Sequence, residues 1–264
     1  KKRANANIVM GRFLYALKQE ADYEIISYEG GQKDNAITRE AICEILVARE
    51  DVEAVKASAA KAEDGLREEY AGTDGNITVQ ITEEGYAETD VLHPTSREKV
   101  LFYLVQIPFG IQKMSGNIEG LVETSTNIGI VKLSDDEFFA RSSVRSSVEV
   151  ARDALSDKIQ YLTEFLGGEY EIQGAYPAWE YRKDSPLRDK MVSVYEEMYG
   201  QKPEVVAIHA GLECGLFYKK IEGLDCVSLG PDMKDIHTSE EVLSIASTER
   251  VWNYLVKVLE NLKD

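Results

Sequence analysis

Residues 206–241, VAIHAGLECGLFYKKIEGLDCVSLGPDMKDIHTSEE, hold two of the three histidines and two of the three cysteines of the 264-residue chain. Three chemistries fit such a set. Cys214 could act as a nucleophile with His209 or His237 as its base, the arrangement of a cysteine hydrolase. His237 could instead be a metal ligand, because it lies among Asp232, Asp235, Glu240 and Glu241. Neutral imidazole with nearby carboxylates is the usual composition of a zinc site and its outer partners. Or the histidines could do no more than satisfy local hydrogen bonds in the buried half of a sheet. Spacing alone leaves all three open.

The elements that must position these residues follow from the local pattern. The apolar run 205–208 reads as a short buried strand ending at His209, and Gly211 starts a turn. Residues 212–220 read as a short helix that stops before Gly223. Cys214 then lies inside that helix rather than at its first turn, which weakens thiolate stabilisation. Residues 226–229 read as a second strand, running through Gly230-Pro231 into an acidic loop around His237. Strand, glycine turn, helix, strand and loop is the grammar of an α/β site, with polar groups gathered at strand ends.

Upstream, residues 5–18 form an amphipathic helix in which Val9, Phe13 and Leu17 recur every four positions. Strands follow at 23–28 and 41–48, with Gly30-Gly31 and the loop QKDNAITRE between them. A long helix occupies 51–71. Residues 76–82 alternate apolar and polar, as a half-buried strand does. Thr95 and Glu98 form a capping box for the next helix, and His93 before Pro94 takes a surface or capping role. Residues 110–117 read as a loop, and 124–133 and 137–144 as two strands joined at Ser134-Asp135-Asp136. The following helix carries a seam from Val148 to Leu166 and closes at Gly167-Gly168. Helices alternating with antiparallel strands indicate an α+β sandwich. The stretch GAYPAWEYRKDSP, 174–186, is rich in proline, glycine and aromatics and marks a domain crossing. Ser185 and Pro186 open the next helix, Gly200 ends it, and Ser247 caps the last one.

With 47 acidic and 30 basic residues the formal charge is -17, which argues against nucleic acid and anionic membranes as partners. Three sparse cysteines without a CxxC pair suit a reducing compartment, and no apolar run approaches a membrane span of roughly 20 residues, so a cytoplasmic location is expected.

The segments HAGLECGLF and GLDCVSLGPDMKDIHTSEE resemble the C-terminal signature of aminoacyl-histidine dipeptidases, the carnosinase-like branch of the di-zinc aminoacylase and carboxypeptidase clan. The likeness continues upstream through RANAN, GGQKDNAITRE, VETSTNIGIV, ARSSVRSS and GAYPAWE, so it spans nearly the whole chain. It implies an α/β protein overall. Residues 1–173 would be a two-layer α+β lid of the dimerisation type, and 174–264 the C-terminal segment of an α/β/α zinc-peptidase catalytic domain. In that family RANAN lies well inside the protein, so the resemblance implies the C-terminal portion of a longer enzyme. The other zinc ligands, the bridging aspartate and the base glutamate would lie upstream.

The resemblance also assigns roles. His237 matches the C-terminal zinc ligand, Arg145 the arginine that binds the substrate carboxylate, and Asn35 an asparagine of the lid. Gly211 matches a glycine whose N–H reaches the same end of the substrate, and Glu213 points at the same loop. No catalytic residue is assigned. Each role has a plain alternative: Arg145 could simply pair with an acid, and Asp34-Asn35 suits a turn by itself. The implied reaction is hydrolysis of Xaa-His dipeptides by metal-activated water, with zinc, two ions per parent enzyme, as cofactor and other divalent ions open. This chain alone would be inactive, since a hydrolytic zinc centre needs about three protein ligands. A non-catalytic association module, pairing through lid edges as a homodimer, is the reading from a different class.

Overall fold

The computed structural model describes residues 3–134, 137–206, 213–236 and 238–263. The chain divides into two units: Lys1–Met114, Val122–Ser146 and Val150–Ile172 form the first, and Ser115–Leu121, Ser147–Glu149 and Gln173–Asp264 the second. Helices and antiparallel sheets make up both, a mixed α/β protein.

The first unit is built on β4 (Val122–Leu133), the longest strand. Along one edge it pairs with β5 (Phe138–Ser146). Two strands share the other edge. There β3 (Gly110–Met114) meets the start of β4, and β1 (Tyr23–Gly30) meets only its last three residues, Val131 to Leu133. Beyond β1 lies β2 (Ala41–Val47), and every pairing is antiparallel. Among the described residues the stretch of β4 around Ile128 and Gly129 has no strand partner on the β1/β3 edge, and the loop carrying Asn35 lies there.

Alternation along the strands separates two faces. Thr124, Thr126, Ile128, Val131 and Leu133 are buried toward the helices α1 (Ala6–Leu17), α2 (Val52–Glu69), α3 (Pro94–Gln106) and α4 (Glu149–Phe165). Leu14, Leu17, Leu101, Leu104, Ile25 and Ile128 are almost completely removed from water in this layer. Each such side chain contributes roughly 1.5–3 kcal/mol of transfer free energy. The opposite face of β4 and β5 carries Glu123, Ser125, Asn127, Ser143 and Arg145 and is polar.

Three local expectations change in this unit. Residues 76–82 form no strand: the main chain runs along α2, held by Arg67 Nε donating to Ile77 O at 2.9 Å and Val79 N–H donating to Glu63 Oε2 at 2.8 Å. Side chains of the helix thus take the place of a β partner. Residues 110–114 are a strand rather than a loop, because β4 supplies the ladder that short-range pattern could not reveal. The cap of α3 is His93, whose Nδ1 accepts from Thr95 N–H at 3.2 Å with Pro94 at the first helical position. Glu98 turns instead to Lys18, at 2.6 Å.

The second unit centres on α5 (Pro186–Tyr199) and α7 (Ile245–Asn261), which bury Met191, Val194, Tyr254 and Val258 between them. Tyr254 Oη donates to Met191 O at 2.7 Å. Ser185 caps α5, its Oγ accepting from Arg188 N–H at 3.1 Å, and Gly200 closes it in the left-handed region at φ 71°. Helix α6 (Glu213–Lys220) and a two-residue ladder, β6 (Met233–Lys234) with β7 (Val242–Leu243), complete the elements. The sequence-predicted strands do not appear: residues 205–206 and 226–229 are irregular, and 207–208 lie outside the described residues. An apolar run becomes a strand only where a neighbouring chain completes its ladder, and among the described residues none does so here. The cap of α7 is Ser244 rather than Ser247. Ser247 lies in the first turn, and its Oγ accepts from Asp232 N–H at 2.8 Å, tying the acidic loop to the helix.

Candidate functional site

The RANAN, QKDNAITRE and VETSTNIGIV segments interlock at the unpaired stretch of β4. Asn5 caps α1 through its Oδ1, which accepts from Asn7 N–H at 2.9 Å and Ile8 N–H at 3.4 Å. Its Nδ2 donates to Asn127 Oδ1 and to Ile128 O, both at 2.9 Å. Asn7 Nδ2 reaches Thr38 Oγ1 at 3.1 Å, and Thr38 Oγ1 donates to Gly129 O at 3.0 Å. Asn5, Asn7 and Thr38 are all buried. Buried amides and hydroxyls carry a large penalty unless paired, and this network pairs them.

The network presents the Asn35 turn. Asn127 Nδ2 donates to Asp34 O at 3.2 Å and to Ala36 O at 2.8 Å, holding the carbonyls on either side of Asn35. Asn35 itself is exposed within that turn. The loop crosses so close to β4 that a Cβ on Gly129 would meet Lys33 O and Asp34 O at 2.5 Å. Gly31, at φ 78°, supplies the left-handed turn that brings the chain there.

Arg145 lies on β5 opposite Ser125, and Ser143 opposite Asn127. Arg145, Ser143, Ser125 and Asn127 therefore share the polar face, with the Asn35 turn clamped at its edge by Asn127. Arg145 is half-buried. Glu123, on the same face, is 7% exposed and pairs with Lys113 at 2.8 Å. In chemical terms this is an arginine on a polar sheet face with an exposed asparagine turn at the edge of that face, a combination suited to a carboxylate.

In the second unit Glu213 is the first residue of α6 and is exposed. Cys214 follows it in α6, whose described residues begin at Glu213; residue 212, where the sequence pattern started the helix, lies outside the described residues. Both bases considered for Cys214, His209 and His237, lie outside the described residues, as does Gly211. Around position 237, Thr238 Oγ1 donates to Asp235 O at 2.6 Å and accepts from Glu240 N–H at 3.2 Å, with Asp235 at φ 52°. Among the described residues no group of three or more His, Cys, Asp or Glu could hold a metal ion, so they do not by themselves fit a zinc centre.

Asp225 organises the start of α5. Its Oδ1 accepts from Ser185 Oγ at 2.7 Å and its Oδ2 from Leu187 N–H at 3.0 Å. Burial pulls its pKa upward, but these bonds and the charges of Arg182 and Arg188 outweigh that and hold it below the usual value.

Sequence reasoning missed Asn127, Asn5 and Thr38 as functional supports. The signal available was polar residues at positions whose neighbours are core, visible only once the strand faces are assigned. It also missed the tie from Ser247 to Asp232.

Comparison with known proteins agrees on one affiliation. The sequence model of the peptidase family M20/M25/M40 matches residues 7–261. The cytosol non-specific dipeptidase of Escherichia coli (strain K12) is 31% identical over 258 residues, covering 98% of this chain and 53% of that protein. The crystal structure of aminoacylhistidine dipeptidase from Vibrio alginolyticus superposes with a TM-score of 0.91 at 32% identity, covering 99% of this chain and 53% of that one. The chain thus spans about half the length of the relatives it matches. No helix among the described residues is long and apolar enough to cross a membrane.

Proposed function

Because the chain belongs to the M20/M25/M40 peptidase family, we propose that it forms the substrate-holding part of a zinc-dependent dipeptidase acting on Xaa-His dipeptides in the cytoplasm. The observation that carries this reading is the polar face on which Arg145 lies beside the clamp that presents Asn35. A dipeptide offers a terminal carboxylate. Arg145 donates two parallel hydrogen bonds to it, since a planar guanidinium matches its two oxygens. The Asn35 amide holds the same end, and by the family resemblance Gly211 and Glu213 are further substrate-binding residues. His237 is one zinc ligand. A zinc ion held there would supply an activated water and polarise the scissile carbonyl. The described residues supply no group to complete the centre, so no step through the metal is assigned to this chain, which alone is inactive.

In this reading residues 1–173 are the lid and 174–264 belong to the catalytic domain. Strands β2 and β5 each pair on one side only, which gives a homodimer two edges through which to form.

Titration of the isotope-labelled chain with an Xaa-His dipeptide, followed by NMR at the Asn35 and Arg145 side chains, tests the carboxylate role. Both signals are expected to shift with the free acid and to stay in place with the C-terminal amide. Equal shifts from acid and amide, or none from either, would remove the proposal. Zinc-dependent turnover of the same dipeptide by the purified chain would overturn its inactivity.

A further inference from the structure

We propose that Cys214 and Cys226 form a redox modification site, closing to a reversible disulfide when the chain meets a small-molecule disulfide such as oxidised glutathione. The two cysteines are 12 residues apart, and Cys226 Sγ lies 3.9 Å from Cys214 O. Both are free and half-buried. Burial, followed by the neighbouring Cys214 thiol, pushes the Cys226 pKa up. The peptidase reading assigns neither of them, and the proposal does not depend on that reading.

Reaching the S–S length of about 2.05 Å requires the sulfurs to approach each other. Cys214 is held in the first turn of α6, while Cys226 lies in the irregular run 224–232, between two anchors: the Asp225 carboxylate at the start of α5 and the Asp232 N–H at Ser247 Oγ of α7. Closing the bridge calls for rotation of both side chains and movement of residues 226–231 between those two anchors.

The chemistry balances in two exchanges. The Cys214 thiolate attacks one sulfur of oxidised glutathione, its S–S bond breaks, and one glutathione thiolate leaves. Cys226 then gives up its proton to water and displaces the second glutathione from Cys214. The protein dithiol loses two electrons, and the glutathione disulfide gains them. Cys214 makes the first attack from the first turn of α6, where the helix N-terminus favours a thiolate, and Cys226 resolves the mixed disulfide. Cys43 stays out: it lies on β2, and burial pushes its thiol up to about 12. The bridge would tie the start of α6, with Glu213 directly before it, to the 224–232 run.

The test is to incubate the purified chain with oxidised glutathione and map its peptides without reduction. Two of the three thiols should disappear as a Cys214–Cys226 cross-link and return on adding dithiothreitol. Cys226→Ser should stop at glutathione attached to Cys214. Because residues this close in sequence can also meet in an unfolded chain, ring closure must be faster in the folded protein than in urea. Equal rates, a final state with glutathione on either cysteine, or cross-links through Cys43 would each overturn the site.

Discussion

Asn5 donates its side-chain amide to Asn127 Oδ1 at 2.9 Å, across 122 positions of sequence. That bond fixes which way the Asn127 amide faces. With Oδ1 engaged, Nδ2 points at the loop and holds Asp34 O and Ala36 O. The residue capping the first helix thereby sets the conformation of the turn that presents Asn35.

Replacing Asn127 with alanine should therefore release the turn as well as weaken the unit. Leaving buried polar partners unpaired costs on the order of 1–3 kcal/mol. The expected outcome is a lower urea midpoint together with faster amide exchange at residues 33–36. A lower midpoint with unchanged exchange there would show that the clamp does not hold the loop.

Gly129→Ala and Gly65→Ala make opposite predictions from the same chemical change. A Cβ on Gly129 would meet two carbonyl oxygens of the crossing loop at 2.5 Å, whereas one on Gly65, within α2, meets nothing within 4 Å. Overpacking of the first kind costs about 1–3 kcal/mol. Alanine within an exposed helix gains up to about 1 kcal/mol over glycine. Thermal melts of the two variants should move in opposite directions.

Stability should fall in alkali. Burial raises the Cys43 thiol from its ordinary 9.0 to about 12 and the Tyr103 hydroxyl from 10.0 to about 12; burial also raises Tyr23 and Tyr28. The unfolded chain ionises these groups first, so above about pH 9 the folded state binds more protons. Their contribution is complete below that pH and is lost as the pH rises toward 12. Denaturation midpoints measured from pH 8 upward should decline, and Cys43→Ala should delay the onset to the tyrosine range near 10.

Asp225 predicts the reverse dependence in the second unit. Its pKa is held below the ordinary 3.8, so its contribution is present above that value and is lost as the pH falls through the depressed one. Asp225→Ala removes the acceptor for Ser185 Oγ and Leu187 N–H. A loss of about 0.5–2 kcal/mol, the range for a helix N-cap, is expected at neutral pH and should shrink in acid. Circular dichroism of α5 and α7 unfolding at both pH values would measure it.

Sequence by itself determined much of this protein. Helical periodicity placed α1, α2, α4, α5 and α7, and the motifs RANAN, QKDNAITRE and VETSTNIGIV were legible as segments because each is a local signal. The residues named for the substrate end, Asn35 and Arg145, could be picked out only by resemblance. Arg145's place on the polar face depends on the register of β4 with β5, and the Asn35 turn at its edge depends on Asn127, which acts across more than 90 positions. Tertiary structure alone decided which apolar runs became strands. Residues 110–114 gained a partner in β4, while among the described residues none pairs with 226–229. The physical reason is the same in each case. A helix closes its hydrogen bonds within its own segment, whereas a strand, a clamped loop or a caught side-chain amide takes its identity from whatever the rest of the chain brings alongside it.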